Sequence, residues 1–291
     1  MAPPSRVWLI TGCSSGFGRE LAKVAASRGD RVLAASRNPD NAKDLAGHEN
    51  IKLVRLDHNE PLPRIKEAVD QAISIHGTID VVVNNAAYAH VGTIEETSPE
   101  ETLLQFQANV FGPLNLYRAV LPHLRSKGSG TLVTVGSVAA WYTMNCGNLY
   151  NASKAALRSL AIGLADEVRG FGIRHCLIEP GAFRTDLVKP GANMAGTPPT
   201  ARLPEYAEIN AVADAFFNEF YGKQPGDPVK GVQIIYEVVT STGVAEGRPL
   251  PGFLVLGSDA TAGISNAVHK VLDAVEEWKS VSVMSDFSEG K

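Results

Sequence analysis

Short runs of apolar residues recur along the chain, separated by longer stretches in which apolar positions fall three and four apart. The runs are "RVWLIT" (6–11), "RVLAAS" (31–36), "IKLVRL" (51–56), "TIDVVVN" (78–84), "GTLVTVGS" (130–137), "GIRHCLIE" (172–179) and "GFLVLG" (252–257). Each has strand length and is rich in Val, Ile or Leu. Residues 17–28, 63–76, 100–126 and 149–170 carry helical spacing, for example at Ile65, Val69, Ala72 and Ile73, and read as amphipathic helices. Further helical stretches at 205–221 and about 228–241 precede the last strand, and about 258–278 forms a terminal helical extension.

Strand and helix in alternation imply a parallel sheet covered on both faces, because parallel neighbours need a crossover and a helix supplies it. The expected fold class is α/β, a single doubly wound domain over residues 1–291 without internal repeat. Ligands of such sheets sit beyond the carboxyl ends of the strands, where strand order reverses, so functional residues should follow strands. The pattern breaks between about 180 and 204, where Gly and Pro concentrate. A loop of this kind suggests a substrate loop or lid, here about 182–210.

"LITGCSSGFGRELA" leaves the first strand and opens the first helix with Gly12, Gly16 and Gly18. Gly12 permits a tight exit, Gly16 a close approach of backbone to a pyrophosphate, and Gly18 close helix packing. The free N–H groups at the helix start favour phosphate charge. No Gly-Lys-Ser/Thr follows, so a Walker-type loop is disfavoured. At the end of the second strand "AASRN" places Ser36 where an acid would select NAD(H), and Arg37 next to it can pair with a 2′-phosphate. NADP(H) is therefore the expected cofactor, ahead of NAD(H).

Composition narrows the partners. The 291 residues are 44% apolar and 20% charged with net charge −4, which suits a globular domain, and no basic stripe invites nucleic acid. Cys13, Cys146 and Cys176 are odd in number and far apart, which fits buried thiols in a reducing, cytoplasmic setting. The histidines form no ligand cluster, so no metal is expected. No apolar run reaches membrane-span length, and the start of the chain lacks the zones of a signal peptide. The sequon at Asn151 falls inside a helix and reads as coincidence.

"NLYNASKAAL" (148–157) places Tyr150 and Lys154 one helical turn apart among small residues. With the glycine turn, this chain resembles the short-chain dehydrogenase/reductase family over nearly its whole length. The matches are "TGCSSGFG" (11–18), Asp57 after the third strand, "NNAA" (84–87), Asn109 in "ANVFG", Ser137 in "VGSVAA", "YNASK" (150–154) and "PGAFRT" (180–185). Ala87 departs from the glycine usual in the family. "EPGAFRTD" and "LGSDA" (256–260) look like the branch with hydroxysteroid- and retinol-dehydrogenase-like members.

The resemblance implies a Rossmann-type sheet and hydride transfer between a carbonyl compound and its alcohol. It implies Tyr150 as general acid/base, Ser137 as hydrogen-bond donor to the substrate oxygen, and Asn109 as holder of a relay water. Lys154 would bind the nicotinamide ribose and lower the pKa of the phenol, ordinarily about 10. Cofactor contacts are expected from Gly12, Ser14, Ser15, Gly16, Phe17, Gly18, Ser36, Arg37, Asp57, Asn85, Ala86, Tyr150, Lys154, Pro180, Gly181, Phe183 and Thr185. Apolar and aromatic residues gather where substrate should lie: Tyr88, Val91, Val138, Trp141, Tyr142, Met144, Phe183 and Leu187. They suit a hydrophobic ketone, aldehyde or alcohol. Two other classes stay open: a catalytically silent NADP-binding regulator and a non-redox isomerase, cyclase or dehydratase. By the same analogy the chain is expected to form a homo-oligomer, dimer or tetramer, through 100–126 and 149–170.

Overall fold

The computed structural model describes residues 5–189 and 193–287. All seven long apolar runs are strands of one parallel sheet: β1 (Val7–Thr11), β2 (Arg31–Ser36), β3 (Ile51–Arg55), β4 (Val81–Asn84), β6 (Gly130–Val135), β7 (Ile173–Pro180) and β9 (Phe253–Leu256). Their order is β3-β2-β1-β4-β6-β7-β9, so the direction of winding reverses between β1 and β4. The cleft at this switch point is where the sheet favours a ligand.

Period-two alternation along β1 divides the core. Trp8 and Ile10 face one side with Val32, Ala34, Val81 and Val83, under α1 (Gly16–Ser27) and α7 (Pro228–Thr240). Val7 and Leu9 face the other, where α2 (Leu62–His76), α4 (Gly112–Lys127) and α5 (Asn148–Arg169) bring Ile65, Leu116 and Val168. Asp30 closes the first layer at its edge, accepting from the Trp8 indole at 2.8 Å and from the Tyr236 hydroxyl at 3.1 Å.

The helix expected over 100–126 is broken. α3 (Pro99–Phe106) starts from a Ser98/Glu101 capping box, a π-helical turn spans Gln107–Phe111, and α4 follows. Pro113 has no N–H to offer the Asn109 carbonyl four residues back, so a regular α ladder fails there. The segment expected as an irregular loop also carries structure. β8 (Met194–Gly196) pairs in parallel with β5 (Ala89–Val91), and 3-10 turns lie at Asp186–Val188, Pro199–Ala201 and Pro204–Tyr206. Residues 190–192 of the expected lid, like the extremes of the 1–291 domain, lie outside the described residues. α6 (Ala207–Phe220) follows, and the terminal helix α8 (Ser258–Ser282) runs four residues past its expected end. Among the described residues no helix is long and apolar enough to cross a membrane.

Two buried histidines make the fold acid-sensitive. Burial pushes both His58 and His175 down to about 4. Between that value and the ordinary 6.5 the unfolded chain binds more protons than the folded one, so stability falls as pH falls. Each contributes up to about 1.4 kcal/mol per pH unit in that window. Urea denaturation should give a loss of stability between pH 6.5 and 4, and His175→Gln should make its slope with pH shallower. An equal slope in parent and variant would take His175 out of the acid response.

Candidate active site

The β1–α1 turn forms the floor of a cleft of about 600 Å³. Gly12 and Gly16 have φ of +74° and +53°, the left-handed region where a side chain is strained. A Cβ on Gly12 would stand 2.9 Å from the Ala86 Cα, and one on Gly18 would stand 2.5 Å from the Gly12 carbonyl oxygen. Thr11, which the sequence did not single out, laces this turn to the next strand. Its hydroxyl oxygen accepts from the Asn85 and Ala86 N–H groups at 3.0 Å each, while the Asn85 amide donates to the Thr11 carbonyl at 2.8 Å. Ser15 caps α1 without a side-chain hydrogen bond to it, and no acid lies in the first turn. That leaves an electropositive helix end open to phosphate.

At one end of the cleft lie Ser36, Arg37 and Asp57. The Ser36 hydroxyl is buried with no hydrogen-bond partner among the described residues. Buried polar atoms are ordinarily satisfied, so an orphan beside Arg37 fits a ligand oxygen. Ser14, Ser15, Phe17, Asn85, Ala86, Pro180, Gly181, Phe183 and Thr185 also line the cleft. Gly18 does not; it serves by letting α1 approach the Gly12 backbone. These residues fit a dinucleotide.

Deeper in the same cleft, α5 presents Tyr150 and Lys154, only 7% and 2% exposed. The Lys154 ammonium stands 5.9 Å from the phenol ring centroid and donates to the Val135 carbonyl at 3.0 Å. Burial lowers Lys154 to about 8, which leaves it charged at neutral pH. Burial also raises the Tyr150 phenol, with the Ser137 hydroxyl opposing. Desolvation is the larger of the two, so the phenol stands above its ordinary value. Ser137 follows β6 and accepts from the Ala139 N–H at 3.1 Å, which keeps its own proton available to the cleft.

Asn109 lies behind this wall and not on it. Its amide donates to the Tyr88 carbonyl at 2.8 Å and the Ser153 hydroxyl at 3.1 Å, and its carbonyl accepts from the Tyr88 N–H at 2.9 Å. One amide donor and the carbonyl thus hold the Tyr88 backbone, and the second donor is committed to Ser153. The Asn151 amide donates to the Ala139 and Tyr142 carbonyls in the interior, which leaves the sequon no access to a glycan.

On the apolar side the cleft brings together Tyr88, Val138, Tyr142, Met144 and Leu187. Trp141 is a correction. It turns away from the cleft, donating its indole N–H to Glu179 and stacking under Arg158, whose guanidinium carbon is 4.0 Å from its ring centroid. Val91 also lies off the cleft, packed with Cys146 and Phe217. Three residues the sequence reading missed, Phe216, Phe217 and Phe220, form a wall from α6. Their signal was "AFFNEF", but a helical aromatic stripe does not distinguish a pocket wall from core. Among the described residues no group of three metal-ligating side chains occurs.

A glycine-floored cleft at the switch point, with a buried Tyr/Lys pair inside, defines a nucleotide-binding oxidoreductase class. The chain belongs to the short-chain dehydrogenase family, whose model matches residues 6–195. It is 31% identical over 287 residues to oxidoreductase BOA17 of Botryotinia fuckeliana, covering 97% of this chain and 99% of that protein. A short-chain dehydrogenase from Streptomyces avermitilis superposes with a TM-score of 0.86 at 36% identity, over 98% of this chain and 100% of the other. A short chain dehydrogenase/reductase from Burkholderia phymatum in complex with NAD shares the fold, with a TM-score of 0.76 and 22% identity over 90% and 92%.

Proposed function

We propose that the protein is an NADP(H)-dependent oxidoreductase interconverting a hydrophobic ketone or aldehyde and its alcohol. The observation that carries this reading is the placement of Tyr150, Ser137 and Lys154 in one cleft with the glycine turn and Arg37. Gly12, Ser14, Ser15 and Gly16 would hold the diphosphate, Ser36 and Arg37 the 2′-phosphate, and Asn85, Ala86 and the 180–185 segment the nicotinamide end. When bound there, a dihydronicotinamide would supply a hydride to the carbonyl carbon.

Ser137 and Tyr150 point donors at the carbonyl oxygen, where charge develops, and Tyr150 gives up its proton as the alkoxide forms. A phenol kept neutral by burial is suited to that direction. Lys154 spends one of its three donors on Val135 and keeps two for the cofactor ribose and the proton path. Asn109 holds the backbone of Tyr88 on the substrate side. Phe216 and Phe220, stacked 5.0 Å apart, together with Leu187 and Met144, favour an apolar substrate. Leu103, Phe111 and Ile162 are exposed apolar residues on or between α3, α4 and α5, which supports association with a second copy there.

A panel of ketones and aldehydes assayed with NADPH tests the reading. One cofactor should be oxidised per alcohol formed; conversion without cofactor oxidation would favour a non-redox role. For cofactor choice, NADPH should bind more tightly than NADH, and Arg37→Ala should cost NADPH roughly ten- to hundredfold, the loss of one charge-assisted contact. NADH binding should hardly change. Equal dissociation constants for the two cofactors in the parent would sink the preference.

A further inference from the structure

Glu179, the residue before Pro180 at the end of β7, is fully buried, with 0% exposure, and has no place in the chemistry above. A buried carboxylate is costly unless neighbours compensate it. Here the Trp141 indole donates to one oxygen, and the Arg158 Nε lies 3.5 Å from the other. Arg158 in turn covers the Trp141 ring, so the three side chains pack as one cluster in which Arg158 and Glu179 stand at ion-pair distance without a hydrogen bond. Gly136 leaves room for them: a Cβ there would stand 3.0 Å from the Glu179 Cγ.

This knot lies against the catalytic helix. Tyr150, Lys154 and Arg158 are spaced by four on α5 and share a face. Lys154 donates to the carbonyl of Val135, the residue before Gly136, and Val135 pairs with Ile178, the residue before Glu179. Among the described residues few groups face Lys154, and Arg158 is the cation one turn along the same helix. Tyr150 comes from its own helix and His58 from the segment after β3, with Asp57 beside it. His58 is held neutral by burial at working pH. Glu179 is the carboxylate that the β6–β7 register sets beside the carbonyl on which Lys154 docks, and its charge opposes the burial that lowers Lys154. Burial raises Glu179 itself, with Trp141, Arg158 and Lys154 opposing.

We infer that Glu179, packed between Trp141 and Arg158, is a positioning residue whose charge sustains the Lys154 ammonium beside Tyr150. Trp141 acts in this arrangement from behind the cleft wall, through its indole donor to Glu179. It rests on the proposed function only for the consequence at the cofactor.

The test follows the ε-methylene carbon of Lys154 by NMR in the cofactor-free protein with labelled lysine, over pH 6 to 10. Glu179→Gln keeps an acceptor for the Trp141 indole and removes only the charge, so the Lys154 midpoint should fall by about one pH unit. Glu179→Asp keeps the charge and withdraws it by one methylene, so its midpoint should lie between those of parent and Gln variant. That variant carries the test alone if Glu179→Gln does not fold. A midpoint unchanged from the parent in either folded variant overturns the proposal, as does Asp behaving like Gln. NADPH affinity should match the parent at pH 6 and fall about fivefold below it at pH 8 in Glu179→Gln, as the ammonium is lost. A shifted midpoint with unchanged NADPH affinity upholds Glu179 and overturns the ribose contact assigned to Lys154.

Discussion

Tyr150→Phe is expected to fold, to bind NADPH as the parent does, and to turn over at least about 10²-fold more slowly, the lower range for general acid–base catalysis. The ring is buried against Ala89, Ala139, Met144 and Leu187, so the variant keeps its packing and loses only the hydroxyl that faces Ser137. Binding and chemistry should therefore separate. Lys154→Met should lower both, because the proposed mechanism has the ammonium serve the cofactor and the phenol. Its pH profile for alcohol oxidation should move upward, since burial already raises the phenol and the variant removes a cation that favours phenolate. A cofactor-loaded Tyr150→Phe protein working at the parent rate would remove the tyrosine from the mechanism.

Gly18→Val should damage stability and cofactor binding together. A Cβ at Gly18 meets the Gly12 carbonyl oxygen at 2.5 Å and the Asn85 amide at 2.7 Å, and backbone laced to Thr11 and Asn85 cannot yield as a flexible side chain would. Overpacking of this kind costs roughly 1–3 kcal/mol, and the shift lands on the turn that would hold the diphosphate. Gly163→Ala on α5 is the control. Nothing lies within 4 Å of its Cβ, and an alanine within a helix should stabilise by roughly 0.5–1 kcal/mol. Urea midpoints and NADPH titrations on both variants measure the contrast. A Gly18→Val protein as stable and as tightly binding as the parent would contradict the close-packing role.

The seven strands of the sheet were legible because each is an apolar run bounded by turns, and a parallel sheet buried on both faces demands such runs. The cleft residues after β1, β2, β4 and β7 were legible for a related reason, since topology sends strand ends to one edge. Side-chain direction was not. Trp141 stands between Val138 and Met144 in sequence, yet a buried Glu179 from another strand claims its indole. Phe216 and Phe220 were hidden because amphipathic spacing gives one stripe for core and for pocket. The short pair β5 and β8 has three residues per strand, too few for an alternation to register. The π turn had a visible cause in Pro113, but the long apolar period around it outweighed one proline.

The balance of charges in the cleft joins these elements. Val135 at the end of β6 gives its carbonyl to Lys154, Ser137 just beyond it faces Tyr150, Glu179 is the penultimate residue of β7, and α5 presents Tyr150 and Lys154 to this edge. Burial raises the phenol and lowers the ammonium, so the free site holds a neutral acid beside a cation at neutral pH. In the proposed reaction that state would protonate the alkoxide.

Transfer of label from cofactor to substrate tests the central claim most directly. NADPH carrying deuterium at the hydride position should be incubated with the apolar ketone that the panel selects. The account predicts one deuterium on the carbinol carbon of each alcohol formed, with one equivalent of NADP⁺. Substrate conversion with the label retained on the cofactor would contradict it.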